Sequence, residues 1–213
     1  TMKIVKYLIA LSILLLLPFH SFSQDKRTLE TKVADLVAQF PENDLVYLDK
    51  LMNDMYSLCE ECLQKICDWI IASGTGDDTK FRFAAESFSR YASQPGKEKE
   101  KMVWEKLCIS GAISRKDSGV KDFFMKQLQQ AGGEATTEAL KMFLTDSENC
   151  TSAISAIATI GDKTAEHILA GSLKNKDLPC AAAVMNALAS MNSGEAVQEY
   201  IAFASGTDLN NVS

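Results

Sequence analysis

The stretch CTSAISAIATI at residues 150–160 decides the fold, because about thirty residues later it recurs as CAAAVMNALASM at residues 180–191. Both stretches consist mainly of small and apolar residues, and both end at a break. Each is followed by an amphipathic segment after a glycine, and a third such segment lies upstream: residues 134–144, 163–173 and 195–204. The repeated unit is therefore predicted to be a helical hairpin.

A single hairpin cannot bury its own apolar stripe, so hairpins of this kind must stack on one another. Gly132, Gly161 and Gly194 align as the turns of the repeat. Repeat periods near this length are typical of helical arrays. The pattern predicts an all-α fold, an α-solenoid built of antiparallel helix pairs.

Upstream of the repeats the sequence also predicts helices. Apolar residues recur at helical spacing, and no segment shows the sustained alternation of a half-buried strand. In the helix at 97–113 we expect Met102, Val103, Leu107 and Ile109 to face the core. The predicted helices before the first repeat are residues 25–40, two helices within 44–73 that break near 57–60, one from Thr79, and then 97–113 and 120–131.

The first 23 residues have the organisation of a secretory signal peptide. Lys3 and Lys6 precede an apolar run of 11 residues at 7–17, after which Pro18 and a Ser-Phe-Ser sequence follow. A helix that spans a bilayer needs ~20 apolar residues, which argues against the alternative of an uncleaved anchor. We expect cleavage after Ser23, a periplasmic or secreted location, and no membrane contact after cleavage.

The charge of the mature segment, residues 24–213, argues against nucleic acid as a partner. Removal of Lys3 and Lys6 leaves 20 basic and 28 acidic residues, a net charge near −8. The basic residues are dispersed, and nucleic-acid binding needs a concentrated positive surface. We expect one architectural unit in this segment.

Four sequence phrases in the mature segment carry a resemblance to a known family. They are GTGDD and ESFSRY within residues 71–91, KDSGVKDFFMK at 116–126 and LKNKDLPCAAA at 173–183. Together with the alanine-rich first helices, they resemble the HEAT-like repeat region of secreted bacterial proteins with a 3-keto-disaccharide hydrolase domain. In those proteins a helical array precedes a glycan-active jelly-roll domain.

The resemblance implies a fold of HEAT-like antiparallel helix pairs and a function as a non-catalytic scaffold of an exported carbohydrate-active protein. Its catalytic domain would lie beyond Ser213, and we expect the array to be truncated at its C-terminal end. The expected partner is that downstream domain or another protein. The alternative is a self-contained periplasmic module that binds a protein through its helices.

The cysteines are the strongest chemical signal, and they leave three readings open. Zinc would need further ligands, but His167 is the one histidine of the mature segment. A thioredoxin-like site would follow a strand, and none is predicted before Cys59 and Cys62. Buried packing is the favoured reading, a disulfide involving Cys59 or Cys62 comes second, and metal or redox chemistry comes last. Cys150 and Cys180 occupy equivalent repeat positions, which favours packing for both.

Other candidate residues have simpler structural interpretations. His167 is expected to be exposed on a second helix. The acidic pairs Asp77-Asp78 and Glu60-Glu61 are expected to cap helices or face helix dipoles. The aromatic residues could stack on a sugar if exposed, but their helical spacing favours the core: Trp69, Phe81, Phe83, Phe88, Tyr91 and Trp104. The sequence therefore assigns no catalytic, cofactor-binding or metal-binding residue.

Overall fold

A computed structural model describes residues 27–58 and 60–194, together with Ile201 and Ser205. The predicted signal peptide and its cleavage site lie outside the described residues. So do Cys59 and most of the predicted helix at 195–204.

All regular secondary structure within the described residues is helical, which confirms the all-α prediction. The part of the chain that the structure describes forms ten α-helices, one 3-10 helix and no strand. The helices are α1 Leu29–Val37, α2 Leu45–Ser57, α3 Glu60–Asp68, α4 Thr79–Ala92, α5 Glu98–Ser114, α6 Ser118–Ala131, α7 Glu134–Leu140, α8 Cys150–Ile160, α9 Lys163–Ser172 and α10 Ala181–Ser190, with the 3-10 helix Lys141–Thr145 directly after α7. The predicted break between α2 and α3 is confirmed.

The helices pack in a regular order along the chain. Every helix contacts the helix two positions further on, so that α2, α4, α6, α8 and α10 form one row, here called the even row. The helices α1, α3, α5, α7 and α9 form the odd row in the same way. Most neighbours in sequence also touch across the two rows.

Polar side chains and one glycine fix the helix ends. Asp117 accepts a hydrogen bond from the Val120 amide at 2.9 Å at the start of α6, and Asp162 accepts one from the Ala165 amide at 2.7 Å at the start of α9. Gly161 ends α8 with φ of 63°, a left-handed conformation that glycine adopts without steric cost. The α8–α9 hairpin is therefore encoded locally.

The core is densest where α4, α5 and α6 meet. Phe88, Trp104 and Phe124 are fully buried there, and the ring centroids of Phe88 and Trp104 lie 5.1 Å apart. Gly111 lets α5 approach α6 closely, because a Cβ at this position would lie 2.6 Å from the Phe124 ring. Large buried rings therefore join these three helices in one core region.

Candidate interaction surface

An open groove crosses three consecutive helices of the even row, α6, α8 and α10. Its cavity volume is about 420 Å³. The groove is lined by Gln129 of α6, by Ile154, Ser155, Ala158 and Thr159 of α8, and by Ala183, Asn186, Ala187 and Ser190 of α10. We call it the even-row groove. It is formed largely by the two repeated stretches, residues 150–160 and 180–191.

The even-row groove combines small side chains with uncharged polar ones. The Gln129 amide donates to the Thr159 hydroxyl at 3.1 Å, and that hydroxyl donates to the Ser155 carbonyl at 2.8 Å. Asn186 and Ser190 are exposed on the opposite wall. Amide and hydroxyl groups can both donate and accept hydrogen bonds without carrying charge. The groove is therefore suited to a neutral hydrogen-bonding partner such as a polypeptide backbone.

A disulfide between Cys150 and Cys180 joins α8 to α10 beside this groove. Their Cα atoms are 6.1 Å apart, within the range that disulfides span. The prediction of simple packing at these two positions is therefore wrong. The two cysteines occupy equivalent positions of the repeated stretch, one at the first residue of α8 and the other directly before α10.

The other described cysteines pack in the interior. Cys62, Cys67 and Cys108 are at most 1% exposed. Burial raises the pKa of the Cys67 thiol to about 12, and it raises the pKa of Cys108 well above its usual value. Thiols of this kind are poor nucleophiles, because the thiolate is the reactive form. The prediction that cysteines are buried in the core is confirmed for these three residues.

The acidic pair at the start of α4 acts partly as predicted. Asp77 caps the helix by accepting a hydrogen bond from the Thr79 amide at 3.0 Å. Asp78 instead accepts from the Ile71 amide at 2.9 Å and from the Arg82 guanidinium at 2.9 Å. Burial raises the pKa of Asp78, but the hydrogen bonds from Arg82 and from the Ile71 amide outweigh it, and the pKa lies below its usual value.

Arg82 holds the loop between α3 and α4 in place. Its guanidinium donates to the Ile71 carbonyl at 2.8 Å and lies 4.7 Å from the centroid of the Phe123 ring. Together with Asp78 it therefore holds both polar groups of the Ile71 backbone and contacts α6. Ile71 and Phe123 are 11 and 41 residues from Arg82, so no local sequence pattern predicts these two contacts.

Glu60 and Glu61 occupy the first turn of α3, which confirms the predicted position at a helix start. Glu60 also accepts a hydrogen bond from Lys106 of α5 at 2.9 Å. His167 is exposed on α9, as predicted. Glu60 and His167 therefore lie on different helices, α3 and α9.

The aromatic residues pack inward, as their spacing predicts. Phe88, Tyr91 and Trp104 are at most 2% exposed. The half-buried side chains pair with one another or with the core: the ring centroids of Trp69 and Phe81 are 4.8 Å apart, and those of Phe40 and Phe83 are 5.7 Å apart. These aromatic side chains therefore do not form an exposed surface on which a sugar could stack.

Glu105 of α5 caps α7, a long-range contact that the sequence analysis missed. One carboxylate oxygen accepts from the Gly133 amide at 2.8 Å, from the Thr136 amide at 3.0 Å and from the Thr136 hydroxyl at 2.7 Å. These are donors that a helix start otherwise leaves unsatisfied. The contact fixes α7 against α5 within the odd row.

No three His, Cys, Asp or Glu side chains among residues 27–58 and 60–194 are placed to bind one metal ion. None of the helices described is both long enough and apolar enough to cross a membrane. No protein-family profile, curated protein or solved structure matches the chain. The case for a function therefore depends on the chain's own residues.

Proposed function

We propose that this chain is a non-catalytic helical-repeat scaffold, an α-solenoid of HEAT-like helix pairs, in an exported protein. The observation that carries the proposal is the order of helix contacts, in which each helix packs on the helix two positions along. Stacked hairpins produce contacts of this order, because each repeat touches its neighbours. Such arrays act through extended surfaces.

Two independent features support export. The first 23 residues combine a basic start, a short apolar run and a small-residue cleavage site. The Cys150–Cys180 disulfide fits an oxidising compartment, since such bonds are rare in reducing ones. The proposed location is periplasmic or secreted.

The proposed role of the scaffold is to position a glycan-active domain that follows Ser213. Support comes from the sequence phrases that resemble secreted 3-keto-disaccharide hydrolase proteins. One of these phrases, at residues 173–183, includes Cys180 and the start of the second repeated stretch. In this reading the scaffold binds no substrate, and its surface contacts the downstream domain. The whole protein, rather than this segment, hydrolyses the sugar.

A second candidate function is favoured by the even-row groove. Uncharged hydrogen-bonding groups on two facing helices suit a polypeptide ligand, as a self-contained periplasmic protein-binding module would require. The groove differs from a buried catalytic cleft, because the side chains that rim it, Ser155, Thr159 and Asn186, are exposed. Either function uses the helices as a binding surface.

Expression of residues 1–213 in a Gram-negative host tests export. Mass spectrometry of the periplasmic fraction is expected to find a chain that begins at Gln24 and carries the Cys150–Cys180 bond. The matched control is Leu15→Arg, which interrupts the apolar run and should retain the chain in the cytoplasm. An unprocessed wild-type chain in the cytoplasm would contradict the proposal.

A further inference from the structure

We propose that the Cys150–Cys180 disulfide is a redox-operated clamp on α10, which a dithiol reductant opens and a disulfide oxidant closes. The bond joins the first residue of α8 to the residue directly before α10, across a sequence separation of 30. It is a covalent tie between neighbouring helices of the even row. Three properties of its surroundings fit a bond that opens and closes.

The first property is the small packing surface of α10. Its buried residues are Val184, Ala187 and Leu188, all of modest size. By contrast, α6 buries seven residues, including Phe123, Phe124 and Met125. Apolar burial stabilises a helix in proportion to the area removed from water, so packing stabilises α10 less than α6 within the part of the chain that the structure describes. The covalent bond therefore makes a larger relative contribution to its position.

The second property is the unequal exposure of the two sulfur-bearing residues. Cys150 is fully buried, whereas Cys180 is half-buried and lies at the end of the exposed loop that follows α9. A reductant can therefore approach the Cys180 sulfur first. Thiol–disulfide exchange depends on this access to one sulfur.

The third property is the position of both residues at helix starts. The positive end of the α8 dipole stabilises a Cys150 thiolate, which offsets part of the cost of burial, and α10 does the same for Cys180. The Thr151 hydroxyl lies 3.5 Å from the Cys180 sulfur and can donate to a thiolate there. A sulfur that is stabilised as a thiolate is a better leaving group in thiol–disulfide exchange.

The exchange is balanced when the reductant is a dithiol. Its first thiolate attacks the Cys180 sulfur, the bond to Cys150 breaks, and the electron pair leaves on the Cys150 sulfur. The second thiol of the reductant then displaces Cys180 from the mixed disulfide. The reductant ends as a disulfide, and both cysteines end as protonated thiols. A disulfide oxidant reverses the sequence.

Opening the clamp should change the even-row groove. Ser155 and Asn186 lie on its two walls, one on α8 and one on α10. With the bond closed, the starts of these two helices are held together with their Cα atoms 6.1 Å apart. With the bond open, α10 is released from α8 at that end, and the spacing of the two walls is no longer fixed.

Hydrogen exchange of the purified chain tests the clamp, with peptide mapping to read each cysteine separately. The oxidised protein should contain the 150–180 linkage, and low-millimolar dithiothreitol should convert both residues to alkylatable thiols without unfolding the protein. Amides of residues 181–190 should then exchange on the order of 10²-fold faster, as expected for loss of one cross-link. Amides of α5 and α6 should be unchanged, and oxidised dithiothreitol should restore the slow exchange.

A double variant, Cys150→Ala with Cys180→Ala, should exchange quickly in α10 whether or not dithiothreitol is present. If this variant does not fold, the reversible cycle on the wild-type protein provides the same test. Three results would overturn the proposal: free thiols at both positions in aerobically purified protein, a bond that resists dithiothreitol until global unfolding, or unchanged exchange of α10 after reduction.

Discussion

Trp104 of α5 donates its indole N–H to the Ser89 hydroxyl of α4 at 2.7 Å, and Ser89 in turn lies 2.8 Å from the Gln127 side-chain oxygen of α6. All three side chains are at most 4% exposed. A buried polar chain of this kind is stabilising only while each member is paired. It ties three helices together at the densest part of the core.

Ser89→Ala should therefore destabilise the protein far more than the loss of one hydroxyl suggests. It leaves the Trp104 N–H and one acceptor on Gln127 without a partner, and each buried orphan costs ~1–3 kcal/mol. We expect the free energy of unfolding in urea to fall by about 2–4 kcal/mol. Ser110→Ala, at an exposed position of α5, serves as the control and should cost less than about 1 kcal/mol. Equal effects of the two substitutions would contradict this role for Ser89.

The capping of α7 by Glu105 gives a second prediction. Glu105→Ala removes the acceptor for three hydrogen bonds and should lower the free energy of unfolding by about 2–4 kcal/mol. Glu105→Gln keeps the shape but loses the charge, and we expect about half that loss. Urea titration measures both. The exposed Glu86→Ala on α4 should change stability by less than about 0.5 kcal/mol, and a similar value for Glu105→Ala would show that the cap contributes nothing.

Much of the fold could be predicted from the sequence because it is encoded locally. The turn at Gly161, the cap at Asp162 and the break between α2 and α3 all depend on neighbouring residues. The prediction of the buried face of α5 is partly wrong. Leu107 is buried as predicted, but Met102 is 68% exposed. The observed face includes Trp104, which was predicted to be in the core with the other aromatic residues.

Contacts between distant residues could not be predicted in this way. Glu105 reaches Gly133 across the odd row, and no local pattern marks a glutamate on a helix as the cap of another helix. The disulfide is different, because the sequence contains a feature that indicates it. Equivalent positions in adjacent repeats are neighbours in a stack, so the match between Cys150 and Cys180 indicated proximity as much as packing.

The Asp78–Arg82 contact predicts a dependence of stability on pH. The folded pKa of Asp78 lies below the reference value of 3.8, so its contribution is fully present above the unfolded pKa and is lost as the pH falls through the folded value. Asp78→Asn should lower stability at neutral pH and should flatten the acid limb of the stability curve. Thermal unfolding measured from roughly pH 2 to 7 checks this.

Lys99→Gln, which removes an exposed charge from α5, is the control for Asp78→Asn. It should keep the acid limb of the wild-type protein. An acid limb for Asp78→Asn that matches the wild type would show that Asp78 is not linked to folding.

The even-row groove gives a prediction for partner binding. A photoreactive side chain in place of Asn186 should cross-link to a polypeptide in the native periplasm, because position 186 lines the groove. The same group in place of Ala182 is the matched control: it is exposed on the same helix but does not line the groove. Gel shifts identify the products. Cross-linking of equal yield at both positions would exclude the groove as the specific contact.

The stacked array itself is tested most directly by small-angle X-ray scattering of the mature segment, residues 24–213. A compact domain of about 190 residues has a radius of gyration near 16 Å. A solenoid of stacked helix pairs is elongated, so we predict a clearly larger radius and a pair-distance distribution with a long tail. A radius of about 16 Å with a symmetric distribution would contradict the α-solenoid.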